Sequence, residues 1–117
     1  MLKSIQVAVL FLCVQFVAYS QNEKVYRNMY DALENPKVVQ ILDFSVVMAE
    51  LPPEIGELKN LRELHLNRHK LTTLPPEIGK LKKLRVLEIQ TNKLISLPKD
   101  ISKCKSMKNL DLSNNKF

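Results

Sequence analysis

Tryptophan is absent from this chain, and glycine and cysteine occur twice each in 117 residues. Each scarcity removes a class of answer. Without Trp, and with aromatics at 6%, no large ring can anchor the interior, so the core must be aliphatic. Two glycines do not make a glycine-rich phosphate loop. Two cysteines exclude a disulfide scaffold, and two histidines leave little for a metal centre or a Ser-His-Asp set. The net charge of +6 is a mild excess, with no basic run dense enough for nucleic acid. Hydrophobic residues at 45% are ordinary for a globular protein and argue against disorder.

Long apolar runs are also missing, with one exception. After "MLK", residues Ile5 to Val17 form a nearly continuous apolar block, broken by Gln6 and Gln15. A bilayer span needs about 20 apolar residues, so the block suits the middle of a secretory signal better than an anchor. Ala18-Tyr19-Ser20 places small residues three and one before a cut after Ser20. An uncleaved anchor and a lipid-modified Cys13 are the alternatives, although Leu12 is bulky where lipidation wants a small residue. Losing the leader removes Lys3 and Cys13, which takes the net charge from +6 to +5 and leaves Cys104 as a single thiol. Stability then rests on packing alone.

What the chain does have is a repeat. "LRELHLNRHKLTTLPPEIGKLKK" (61–83) aligns without gaps to "LRVLEIQTNKLISLPKDISKCKS" (84–106). "VQILDFSVVMAELPPEIGELKN" (39–60) precedes them, one residue shorter, and "MKNLDLSNNKF" (107–117) follows as half a unit. In each unit an L-x-L pair alternates, so Leu64 and Leu66, or Leu87 and Ile89, point to one side of a short strand. One such strand cannot bury its face alone. Stacked in parallel at about 4.8 Å, the strands form a sheet. Leu71, Leu74, Ile78 and Leu81 then fill the interior as the chain returns, through a proline bend and a turn or two of helix or 3₁₀.

The ninth position of each unit bends the backbone and leaves amide groups that need partners. Asn92 and Asn115 satisfy a donor and an acceptor there. His69 holds the place in the second unit and Val47 falls near it in the first, which predicts looser turns in those two units.

These residues resemble the leucine-rich repeat family, over Val39 to Phe117. With its leader and the wording "LPPEIGKLKKL", the chain is most similar to secreted bacterial members, and intracellular signalling adaptors share the repeat wording. The resemblance implies an α/β solenoid: a right-handed coil with short parallel strands on the concave face and an N-terminal capping helix. The organisation expected is a signal peptide at 1–20, a capping helix at 21–37, and repeats at 38–117. "NEKVYRNMYDALENP" reads as that helix, with Val25, Met29 and Leu33 as its apolar stripe, Asn22 as cap and Pro36 as stop. No such cap is visible at the other end. Met107, Leu110, Leu112 and Phe117 there face water unless Phe117 folds back, two molecules meet end to end, or the sequence is a fragment.

Candidate chemistry is thin. His65 and His69 are four apart, but one lies in a strand and the other in a turn, so they do not clasp a metal. Cys104 aligns with the core positions Leu58 and Leu81, which suits an inert buried thiol. No enzyme, cofactor or metal site is expected.

The outward strand positions are more informative. Asp43, His65, Glu88 and Asp111 recur at the fifth position of the unit, and Gln40, Arg62, Arg85 and Lys108 at the second. An acidic row therefore lies beside a basic row. Ser45, Asn67, Gln90 and Ser113 add polar groups at one side. The rows either pair with each other as a solvated surface, or bind a polar, mixed-charge protein. Asp43, Arg62, His65, Arg85, Glu88, Lys108 and Asp111 are the candidate contact residues. Four strands present only about 450 Å², against the roughly 800 Å² per partner of a stable interface. Binding by a monomer is therefore expected to be weak, or strong only after self-association. The lysines at 80, 82, 83, 99, 103 and 105 concentrate on the return segments, where contact with acidic glycan or lipid is expected to fall.

Overall fold

The computed structural model describes residues 23–117. The expected leader and its cleavage site lie outside them. Among the described residues, five short strands form one parallel sheet in chain order: β1 (Val25–Tyr26), β2 (Ile41–Asp43), β3 (Glu63–His65), β4 (Val86–Glu88) and β5 (Asn109–Asp111). The register is that of the repeat. Leu42 pairs with Leu64, Leu64 with Leu87, and Leu87 with Leu110.

A five-residue 3₁₀ segment carries the chain back from each of three rungs, at Pro53–Glu57, Pro76–Lys80 and Lys99–Lys103. Pro52, Pro75 and Pro98 precede them with φ of −68°, −71° and −65°, which the pyrrolidine ring imposes. The core lies between sheet and return segments. Leu61, Leu64, Leu66, Leu71, Ile78, Leu81, Leu84, Leu87, Ile89 and Leu94 are all fully buried. Each such aliphatic side chain contributes about 1.5–3 kcal/mol by leaving water. Cys104 joins the buried set at its Leu-equivalent position. Burial pushes its thiol pKa up, and the sulfur sits 3.2 Å from the Ile78 carbonyl oxygen.

The amino end departs from expectation. The anticipated helix is shorter: α1 spans Met29–Glu34, and Val25–Tyr26 is strand. Asn28, not Asn22, is the cap. Its side chain accepts from the Asp31 amide at 2.8 Å, and its Nδ2 donates back to the Asp31 carboxylate at 2.8 Å. A β-branched and an aromatic residue suit a pleated edge, and the free edge of β2 offers them a ladder. Tyr26 therefore stacks on Leu42 in the core row, while Met29 and Leu33 still pack on the core. At the other end Phe117 is 62% exposed, so it does not fold back as a plug.

The turns correct a second expectation. In the second, third and fourth units Arg68, Thr91 and Asn114 adopt φ of 61°, 56° and 55°. Asn92 Oδ1 then accepts from the Leu71 amide at 3.1 Å, and its Nδ2 donates to the Leu66 carbonyl at 2.6 Å. Asn115 repeats this one unit later, with the Leu94 amide at 3.1 Å and the Ile89 carbonyl at 2.7 Å. His69 fills the same place in the second unit, where Nδ1 accepts from the Met48 amide at 3.1 Å. That turn is therefore regular. The ring nitrogen reproduces the acceptor half of an asparagine, and Phe44 packs edge-on against the ring at 6.4 Å. Only the first unit, one residue shorter and with Val47 exposed, departs.

Two predictions follow from these contacts. A methyl group at Gly79 would lie 2.7 Å from the Asp100 carbonyl oxygen, whereas at Gly56 it would meet the flexible Lys80 side chain at 3.0 Å and the Glu77 carbonyl oxygen at 3.1 Å, a milder crowding. Gly79→Ala should therefore lose about 1–3 kcal/mol in urea unfolding and Gly56→Ala distinctly less; equal losses would contradict this packing. The second concerns His69, whose pKa burial lowers from 6.5. Its contribution to stability is present above 6.5 and lost as pH falls through the window between 6.5 and the lower folded value. His69→Asn should remove that acid-side loss, and His69→Ala should cost about 1–3 kcal/mol by orphaning the Met48 amide. Unfolding midpoints across pH measure both.

Candidate functional site: the outer face of the sheet

Because successive strand residues point to opposite sides, burying Leu42, Leu64 and Leu87 turns their neighbours outward. The parallel register aligns Asp43, His65, Glu88 and Asp111 in one row, and Ile41, Glu63, Val86 and Asn109 in another. Gln40, Arg62, Arg85 and Lys108 sit one residue before each strand. The Gln40 carbonyl accepts from the Arg62 and Glu63 amides at 2.8 and 3.0 Å, and the pattern recurs at Arg62 and Arg85. Asp43, His65, Glu88 and Asp111 therefore share the outward face, and Arg62, Arg85 and Lys108 are exposed at the strand starts beside it.

His65 is its centre. Nδ1 lies 2.8 Å from Glu88 Oε2, and Nε2 lies 3.3 Å from Glu63 Oε2. A neutral imidazole has one donor and one acceptor nitrogen, so only the imidazolium satisfies two carboxylates. Burial pulls the His65 pKa down, but the hydrogen bonds to Glu88 and Glu63 outweigh it, and the net result lies above 6.5. The bond from His65 in turn holds the Glu88 carboxyl below its usual range, and Asn67 Nδ2 adds a second donor at 3.0 Å.

The other carboxylates of the row are engaged as well. Asp111 accepts from the Ser113 amide at 3.0 Å and hydroxyl at 2.7 Å, and from the Gln90 side chain. The Ser113 bonds hold its carboxyl pKa low. Asp43 pairs with Arg27, which reaches down from the start of α1. Asn67 Oδ1 accepts from the Gln90 amide at 2.8 Å, tying side chain to backbone across strands. These partners were not legible in sequence. Arg27 lies outside the repeat, and the amide row at the seventh position looked only like a polar fringe.

The two ring nitrogens of His65 face opposite carboxylates, and His69 is buried in its turn, so the histidines do not converge. Among the described residues no group of three or more His, Cys, Asp or Glu is placed to hold a metal ion. No helix there is long and apolar enough to cross a membrane. Some of the return-segment lysines have partners within the chain. Lys103 pairs with Asp100 at 2.8 Å, Lys82 donates to the Lys103 carbonyl at 3.3 Å, and Glu77 lines the same groove.

A family model described as "Leucine-rich repeat region" matches residues 11–116. The chain belongs to the leucine-rich repeat family. Leucine-rich repeat domains generally bind proteins, which accords with a polar sheet face mounted on an aliphatic core. A search of curated proteins gives no match. Among solved structures, a leucine-rich repeat protein of Leptospira interrogans is similar, with 28% identity and a TM-score of 0.42. The match covers 80% of this chain and 36% of that one, so this chain spans about a third of the other's length.

The His65 arrangement makes a sharp prediction. Replacing Glu88 with Gln should lower the His65 pKa, read from the imidazole proton shift in an NMR titration. The part of the protein's stability that His65 supplies is full below 6.5 and is lost as pH rises through its higher folded value. Glu88→Gln should flatten that neutral-to-alkaline decline. An unmoved His65 titration would show that the contact does not exist in solution.

Proposed function

We propose that this leucine-rich repeat chain is an exported, non-enzymatic protein-binding module that works at the cell envelope or a host surface. The observation that supports this best is the sheet face itself: Asp43, His65, Glu88 and Asp111 set in register by strands whose other side is core, with the exposed cations Arg62, Arg85 and Lys108 one residue before those strands. Export rests on the leader-like segment at 1–20. Area limits affinity. Five strands at about 4.8 Å and seven residues at about 3.3 Å give a face of about 24 by 23 Å, or about 550 Å², still short of the roughly 800 Å² per partner of a stable interface.

A second reading is self-association beyond β5, where Leu110 is 42% and Phe117 62% exposed. Light scattering that returns a monomer at every concentration would reject it.

Affinity capture tests the main reading. A variant with Ala at Asp43, Arg62, Arg85, Glu88 and Asp111 should lose the partners that the parent retains; equal capture would move the site off this face. Mass spectrometry of the exported protein should show a chain beginning at Gln21. A soluble cytosolic form that keeps residues 1–20 would reject export.

A further inference from the structure

The two charged rows of the outer face are not equivalent. Every carboxylate of the row Asp43, Glu88, Asp111 has a partner within the chain: Arg27, His65 with Asn67, and Ser113 with Gln90. Glu63 is engaged by His65. The cations show the opposite. Among the described residues, the side chains of Arg62, Arg85 and Lys108 form no ion pair or hydrogen bond, and all three are exposed.

Lys83 joins them from the end of its unit. It donates to the side-chain oxygen of Asn60 at 2.7 Å, a neutral partner that leaves its charge uncompensated. Lys83, Arg62, Arg85 and Ser106 line a groove of about 390 Å³ between adjacent rungs. Ser106 uses its hydroxyl hydrogen on the Lys82 carbonyl at 2.7 Å, so the groove offers cations and no free hydroxyl donor.

We propose that this edge, formed by Arg62, Lys83, Arg85 and Lys108, docks an extended acidic segment of a partner protein, whose glutamate or aspartate carboxylates take the cations. The assignment rests on the protein-binding reading and names the partner's chemistry. Neighbouring strands lie about 4.8 Å apart, so the row Arg62–Arg85–Lys108 spans about 10 Å. An extended peptide presents alternate side chains about 6.6 Å apart, so two or three carboxylates fit that span within the reach of flexible arginine and lysine stems. Guanidinium groups suit carboxylates because the planar fork takes both oxygens.

Other polyanions fit less well. Nucleic-acid binders of ordinary strength contact about 6–10 phosphates, more than four cations supply. A sulfated glycan spreads charge over both rows and meets the carboxylates of Asp43, Glu88 and Asp111. A peptide carries its charge along one edge and need not meet the carboxylate row.

Fluorescence anisotropy on the purified protein tests this, with a labelled peptide of alternating glutamate and serine as probe. A glutamine-serine peptide and a heparin fragment serve as comparisons. The glutamate peptide should bind, and the glutamine peptide should not. Arg62→Gln with Arg85→Gln should weaken binding about tenfold, whereas Lys99→Gln with Lys105→Gln, the same charge change on the return side, should not. Failure of the glutamate peptide to bind, equal weakening by both double variants, or binding of heparin alone would each overturn the proposal. If partner capture still depended on the alanine set after such a failure, protein binding would stand and only the acidic segment would fall.

Discussion

Everything in this molecule depends on parallel stacking in a single register. Leu42, Leu64, Leu87 and Leu110 lie beside one another because successive strands pair at equal residue spacing. A slip of one residue would turn every strand over and move the aliphatic row into water. Two devices hold the register besides the ladder. Each turn asparagine binds an amide and a carbonyl of the preceding unit, and the second return segment packs so closely on the third that a Cβ at Gly79 would meet the Asp100 carbonyl oxygen at 2.7 Å. The shorter first unit keeps the register because its missing residue falls in the turn, where Val47 is exposed and the asparagine role is lost, and not in a strand.

Stacking has a price on the outer face. Residues of one repeat position become neighbours about 4.8 Å apart, so a position that is always acidic or always basic becomes a like-charged row. The acidic row is relieved from within: His65 interrupts it as an imidazolium, Asn67, Gln90 and Ser113 donate into it, and Arg27 covers its first member. The basic row has no such relief among the described residues. Its three cations are exposed and like-charged. The surface is therefore a row of internally hydrogen-bonded carboxylates with one exposed cationic border.

The two histidines show how the same stacking sets opposite chemistry four residues apart. His65 points outward between carboxylates and holds its proton. His69 points into the turn, accepts from a backbone amide, and gives its proton up. Their contributions to stability therefore fade in opposite directions, His65 towards alkaline pH and His69 towards acid.

Much of this was readable from residues alone. Leucines returning every 23 positions imply rungs, their inward members imply the core, and the alternation in each strand assigns Asp43, His65, Glu88 and Asp111 to the far side. Cys104 was legible as core because it stands where Leu58 and Leu81 stand. These are properties of spacing, and spacing is what a linear sequence records. Tertiary structure alone decided the rest. Val25 and Tyr26 became a strand instead of helix because the edge of β2 was free to pair. His69 became a sound asparagine substitute because one ring nitrogen reached the Met48 amide. The acidic row became fully hydrogen-bonded because Arg27, His65 and three amide or hydroxyl side chains lie within reach of its carboxylates. Each of those outcomes depends on groups remote in the chain meeting in space, and no period in the sequence encodes such a meeting.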